Sequence, residues 1–304
     1  MKHSETESTA RAILYAFLAN LGIAVSKLAT AFYTGSGSMM AESIHSFADT
    51  GNQVLLYIGL KGSLRPADVE HPLGYGKLSY FWSFVVALIL FTMGGVYSIY
   101  EGLHKLDQPG ELSDIWIALL VLAGAVVLEG FSLAGAIREI NRIRGNKGLL
   151  YWLRHTRNAE IVVVFGEDVG AILGLLLAFS FLLVAFVTGN AIYDAAGSIC
   201  IGVILIVIAV FLAVRLQSLL VGKSAEPELQ ALINETIAND PYIVAVLNTV
   251  TMQFGPRVLL AAKVRMKGDL KISDAVFHLN QLERRIKEDY PSVGWCFLEP
   301  DHVP

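Results

Sequence analysis

Long runs of Leu, Val, Ile, Ala and Phe recur along the chain near residues 12–33, 39–60, 78–103, 114–137, 159–188 and 191–219. A helix needs about 20 apolar residues to cross a hydrocarbon core, and each run is long enough. The first, third, fourth and sixth are strongly apolar. The second is interrupted by Glu42, His45, Asp49, Asn52 and Gln53, and the fifth by Glu167 and Asp168. Only their apolar surroundings keep those two among the spans.

After Leu220 the pattern changes. AEPELQALINETIAND reads as an amphipathic helix, with Pro227 near its start and Asp240-Pro241 ending it. YIVAVLNTVTMQF and RVLLAAKVRM alternate and are rich in valine, so they predict two strands joined by a turn at Gly255-Pro256. SDAVFHLNQLERRIKEDY predicts a second helix capped by Ser273 or Asp274, and SVGWCFLEP a closing strand. The expected fold is therefore an all-α membrane bundle of six transmembrane helices over residues 1–220. An α+β domain of order αββαβ follows over 221–304.

Composition agrees with a membrane protein. Of 304 residues, 54% are hydrophobic and 16% charged, with a mean hydropathy of +0.56; soluble domains are about 45–50% apolar and about 25% charged. The net charge of −4 says less than its distribution. Lys61, Arg65 and Lys77 lie between the second and third runs, and Arg138, Arg142, Arg144, Lys147, Arg154 and Arg157 between the fourth and fifth. Lys105 is the basic residue of the opposite links. By the positive-inside rule both termini are cytoplasmic. Cys200 and Cys296 are too far apart in sequence for a CxxC metal knuckle and too few for a disulfide framework. The opening MKHSETESTARA lacks the basic start of a cleaved signal peptide.

The chemistry is concentrated in the interrupted runs. A carboxylate at mid-membrane costs about 2.5–3.5 kcal/mol even on lenient scales, so sequences keep one where it faces a partner, a cavity or an ion. Ser38, Glu42, His45, Asp49 and Asn52 step by four and three residues and form one helical stripe. His45 and Asp49, at i and i+4, can converge on one ion. Nitrogen with carboxylate oxygen suits zinc and its neighbours better than magnesium, calcium or manganese. A lone His or Asn in a span more often glues helices; three ionisable groups on one face argue for function. In the fifth run Asp168 is the expected ligand, and Glu167 a fourth ligand, a proton-carrying neighbour or a pairing group. Gly166, Gly170 and Gly174 form a small-residue ridge that admits another helix.

GSGSMMAESIHSFADTGNQ, the linking HPLGYGK, the carboxylate-bearing fifth run and the αββαβ tail together resemble the cation diffusion facilitator family of metal transporters, in the branch similar to zinc transporter nine. The likeness runs from about Arg11 to Pro300. It implies six spans, a homodimer, a cytoplasmic ferredoxin-like tail and exchange of a divalent metal for protons, with export from the cytoplasm across a bacterial inner membrane. Zinc would be the transported substrate and no cofactor would be required. The family's HxxxD or DxxxD pair on helix two is matched by His45 and Asp49. Of the second pair Asp168 matches the last member, while the first falls on Val164, which cannot ligate; Glu167 is offered instead. Ligands must shed protons before binding metal, so metal and protons would compete for the site, which alternating access would present to each side in turn.

Weaker signals surround this set. Lys27 reads as structural, either pairing with a carboxylate such as Glu42 or snorkelling, and Glu129 is a candidate for the proton path or a partner of Lys27. Asp194 reads as an interfacial cap, and His71 as part of a turn built on Pro72 and two glycines. His278 reads as a surface or satisfied residue. Phe297 occupies the strand position where the family likeness implies a regulatory histidine. Among other classes, a zinc protease lacks its HExxH motif, and seven scattered histidines do not make a di-iron oxidase. Nothing points to nucleic acid. An exporter of Mn(II), Fe(II) or Co(II) and a non-transporting metal sensor are the competing readings.

Overall fold

The computed structural model describes residues 20–108 and 113–303, so the opening of the first expected span, residues 12–19, lies outside the described residues. Two compact units emerge. One takes the described residues up to Ile58 with Trp82–Asn146 and Glu160–Arg215; the other takes Gly59–Phe81, Lys147–Ala159 and Leu216 onward.

The helices in chain order are α1 (20–34), α2 (Gly37–Ser63), α3 (Leu78–Asp107), α4 (Ile115–Arg144), α5 (Leu149–His155), α6 (Ala159–Thr188) and α7 (Ile192–Val221). Among the described residues α3, α4, α6 and α7 are long and apolar enough to cross a membrane. The 27-residue α2 has the length, but its polar stripe lowers its hydropathy. The expected fold class is thus met at the level of apolar helices followed by a small sheet domain. The short α5 was not foreseen; it buries Trp152 and Leu153 in what reads as a basic link.

In the first unit, missing side chains set how closely helices approach. Within α3, Leu90–Val96 winds as a π-helix, a local widening that often accompanies function. Here α3 meets α7. A Cβ on Gly202 would stand 2.6 Å from the Gly95 carbonyl oxygen, and one on Gly102 would stand 2.7 Å from that of Ala195. The obstacles are backbone atoms, which cannot swing aside. We therefore expect Gly202→Leu to lower the unfolding temperature strongly, at a cost of about 3 kcal/mol, the upper end of the usual overpacking range; a wild-type melting curve in detergent would contradict this. The α6 ridge behaves as its spacing suggests: Gly166 and Gly170 admit Leu212 and Leu205 of α7.

Asp194, in the first turn of α7, is a cap, though of another helix. It is 1% exposed and sits at the start of α2. Its carboxylate accepts from Gly37 N (2.6 Å), Ser36 Oγ (2.7 Å) and Ser38 N (3.2 Å). Otherwise orphaned amides are satisfied, and a negative charge meets the positive end of the helix dipole.

In the second unit α8 (Pro227–Ala238), β1 (Ile243–Phe254), β2 (Arg257–Met266), α9 (Ile272–Asp289) and β3 (Val293–Pro300) follow the expected αββαβ order. The sheet runs β1-β2-β3, antiparallel then parallel. Its core gathers Ile233 and Ile237 from α8, Leu260 and Val264 from β2, and Leu282 and Ile286 from α9. Gly255 turns the hairpin at φ +63°, a conformation glycine adopts without steric cost. The expected cap of α9 needs correction. The chain enters this helix from Lys271 in extended backbone, so Ser273 and Asp274 already lie in its first turn. Ser273 Oγ bonds Asp274 Oδ1 instead of a helix amide. Arg157, counted among the cytoplasmic charges, has a structural task as well: its guanidinium donates to the carbonyls of Ser224 (2.8 Å) and Ala225 (3.0 Å) before α8.

Candidate metal centre

The stripe on α2 is buried where its periodicity placed it: Ser38, Glu42, His45 and Asn52 are all fully enclosed. His45 Nε2 lies 3.4 Å from Asp49 Oδ2, so the i, i+4 pair does meet. Neither ring nitrogen of His45 has a hydrogen-bond partner, and Asp49 Oδ1 has none. Buried polar groups in folded proteins are nearly always partnered, and an exception needs a reason. The ring packs against the π-helical segment, where a Cβ on Gly94 would lie 3.6 Å from His45 Nδ1.

From α6, Glu167 Oε1 accepts a 2.7 Å hydrogen bond from Asn52 Nδ2, tying the two helices together. Asp168 Oδ1 accepts one of 3.2 Å from Ser132 Oγ of α4, while its Oδ2 is unpartnered. A cavity of about 70 Å³ opens between these groups, with Asp49, Gln53, Glu129, Ser132, Glu167 and Asp168 on its wall. Polar and of this size, it can hold water. Four acidic side chains of the first unit therefore share one polar space. His45 adjoins it through Asp49. Among the described residues, no three His, Cys, Asp or Glu side chains stand close enough to hold one ion together. His45, Asp49, Glu167 and Asp168 are neighbours here, but not an assembled tetrahedron.

The accessory candidates separate. Glu129 lines the cavity. Glu42 does not; its Oε2 lies 3.4 Å from Lys27 Nζ, which also donates to Ser46 Oγ at 2.7 Å. Of the two readings of Lys27 the structure shows the pairing with Glu42, fully buried, and not snorkelling. Glu42 Oε1 points at Gly174 of α6, a position where any side chain would collide with it. Val164 lines the cavity on α6, one turn before Asp168. Ser132 and the tie from Asn52 to Glu167 went unforeseen. Ser132 lies three residues after Glu129 on α4, the spacing that puts both on one face.

Outside this centre the candidates are occupied. His71 lies in a turn where its amide donates 2.7 Å to Asp68 Oδ1, and its ring stands 4.2 Å from that of Tyr75. His278 stacks on Tyr242 with centroids 3.4 Å apart. Cys296 is buried, and burial pushes its thiol up to about 12, leaving it neutral and a poor ligand. Asp301 accepts 2.8 Å from Lys263 Nζ, and that bond holds its carboxyl down at about 2. Phe297 is exposed.

A family model described as the cation efflux transmembrane domain matches residues 13–221. The chain is 34% identical over 261 residues to the mitochondrial proton-coupled zinc antiporter SLC30A9 of Xenopus laevis, covering 85% of this chain and 46% of that protein. The human counterpart is 32% identical over 255 residues, covering 83% and 44%. Metal tolerance protein C4 of Arabidopsis thaliana is 29% identical over 287 residues, covering 93% and 61%. The chain thus spans about half the length of the antiporters it matches.

Proposed function

The chain belongs to the cation efflux family, and from that premise we propose that it is a secondary transporter that exports zinc from the cytoplasm in exchange for protons. One observation carries the reading to particular residues. Asp49, Glu167 and Asp168 share a polar cavity beside a buried, unpartnered imidazole, all on helices of the matched region. Such a set has little use in a membrane except to meet a cation or a proton. His45 and Asp49 from α2 and Asp168 from α6 are the proposed metal ligands, with Glu167 as the fourth ligand or the proton-carrying neighbour. Since these groups are not gathered to ion distance, zinc arrival would draw the α6 carboxylates towards His45 and Asp49. Protons reaching the same oxygens from outside would release the metal. Binding and release would then alternate with access from the two sides.

The wider architecture completes the proposal. Six spans, a cytoplasmic ferredoxin-like tail and a homodimer joined through that tail fit the charge pattern and the αββαβ order, with both termini cytoplasmic. A bacterial inner membrane is the proposed site. The vertebrate relatives are mitochondrial by name, and cell fractionation decides between the two membranes.

The test is zinc uptake into proteoliposomes with an imposed pH gradient. The expected result is gradient-driven accumulation that collapses when a protonophore is added, with manganese(II) competing poorly. Iron(II) and cobalt(II), which His45 also suits, are compared in the same assay. Zinc binding without flux would favour a sensor, and flux indifferent to pH would overturn the exchange with protons.

A further inference from the structure

Within the second unit, residues 59–81 close against the tip of the β1–β2 hairpin. The backbones touch there: a Cβ on Gly255 would stand 2.6 Å from the Gly76 carbonyl oxygen. Tyr80, 1% exposed, donates its hydroxyl to Gly255 O at 3.0 Å. Beside this contact lies a cavity of about 200 Å³. Tyr75, Phe254 and Trp295 form its aromatic wall, the last two meeting edge to face with centroids 6.0 Å apart.

Two charged residues line this cavity, Arg65 and Arg257, and no acidic residue does. The Arg65 guanidinium lies 5.9 Å from the centre of the Tyr75 ring. Neither arginine is among the ion pairs found for the described residues. The acid that touches this wall, Asp68, is already engaged: its carboxylate accepts from the Tyr75 hydroxyl at 2.6 Å and from the His71 amide at 2.7 Å. The hydrogen bond from Tyr75 holds that carboxyl below its usual range, so it stays a partner of Tyr75.

We propose that this cavity is a binding site for a phosphate group, carried by a lipid headgroup or by a small soluble phosphate ester. Guanidinium forks match phosphate oxygens in pairs, and two arginines that enter no ion pair among the described residues suit such an anion. The aromatic wall accepts the organic part of the ligand. The loop that forms the cavity leads into α3, a helix long and apolar enough to cross a membrane, and basic pockets beside the ends of such helices capture anionic headgroups. An occupant would rest on both this loop and the hairpin, and so hold the contact at Gly76 and Gly255. The site is independent of the transport reading, because its test measures binding alone.

The experiment uses the full chain in phosphatidylcholine nanodiscs, titrated with glycerol 3-phosphate and followed by tryptophan fluorescence. A parallel arm uses nanodiscs containing phosphatidylglycerol, with retained lipid counted by native mass spectrometry. At least one probe should bind, and Arg65→Gln with Arg257→Gln should weaken it by about tenfold or more. Retention of phosphatidylglycerol without a response to glycerol 3-phosphate identifies a lipid headgroup; the reverse identifies a soluble ester. Binding of neither probe, or equal binding by the double variant, overturns the proposal. Both arginines are solvent-exposed, so the variant is expected to fold. Gel filtration checks this, and Arg257→Gln alone serves as the milder variant.

Discussion

Asp49→Ala and Asp168→Ala should each abolish gradient-driven zinc uptake while leaving the protein folded in the membrane. Each removes one carboxylate that lines the 70 Å³ cavity and has an oxygen without a partner. Even groups that merely orient a metal ligand cost about 10–100-fold when lost, so a direct ligand should cost at least about 100-fold. Folding should survive because neither side chain holds a strong intramolecular contact: Asp49 meets His45 at 3.4 Å, and Asp168 accepts one long bond from Ser132. His45→Ala should behave alike. Glu167→Gln is the informative contrast, because Glu167 already accepts from Asn52. Lost zinc binding would make it the fourth ligand; retained binding with altered pH dependence would make it the proton-carrying neighbour. Uptake unchanged in both aspartate variants would refute the site.

The second large effect concerns Lys27 and Glu42. Both are fully buried, 3.4 Å apart, with Ser46 completing the ammonium's bonding. Removing one partner of a buried pair strands a charge and costs about 3–5 kcal/mol, whereas replacing both with neutral groups of similar shape is often close to neutral. Lys27→Met should therefore unfold at a markedly lower temperature than wild type, and Lys27→Met with Glu42→Gln should recover most of the loss. Equal destabilisation of single and double variants would mean that the pair contributes no coupling. The double variant also isolates function. If Glu42 serves the proton path, the refolded protein will bind zinc but fail to couple its movement to the pH gradient.

Much of this centre is legible in the amino-acid sequence. The four- and three-residue steps on α2 placed Glu42, His45, Asp49 and Asn52 on one face, and all but Asp49 are fully enclosed. The i, i+4 spacing brought His45 and Asp49 together because helical geometry alone decides it. The Lys27–Glu42 pair was also foreseeable, since a lone ammonium in an apolar helix needs a counter-charge. The α9 cap was misplaced by two or three residues, because capping depends on where the backbone turns and several Ser and Asp positions compete for it.

Local periodicity determined the apolar helices, the αββαβ order of the tail, and the face of α2 that carries the polar stripe. These follow from side-chain spacing within one segment. Which face of α6 meets α2, whether Glu129 or Glu42 opens on the cavity, and that Asp194 caps a helix more than 150 residues away were decided by tertiary structure. Each of these depends on two segments distant in sequence. Consecutive Glu167 and Asp168 point about 100° apart on their helix, so no pattern within α6 could show that one would reach Asn52 of α2 and the other Ser132 of α4.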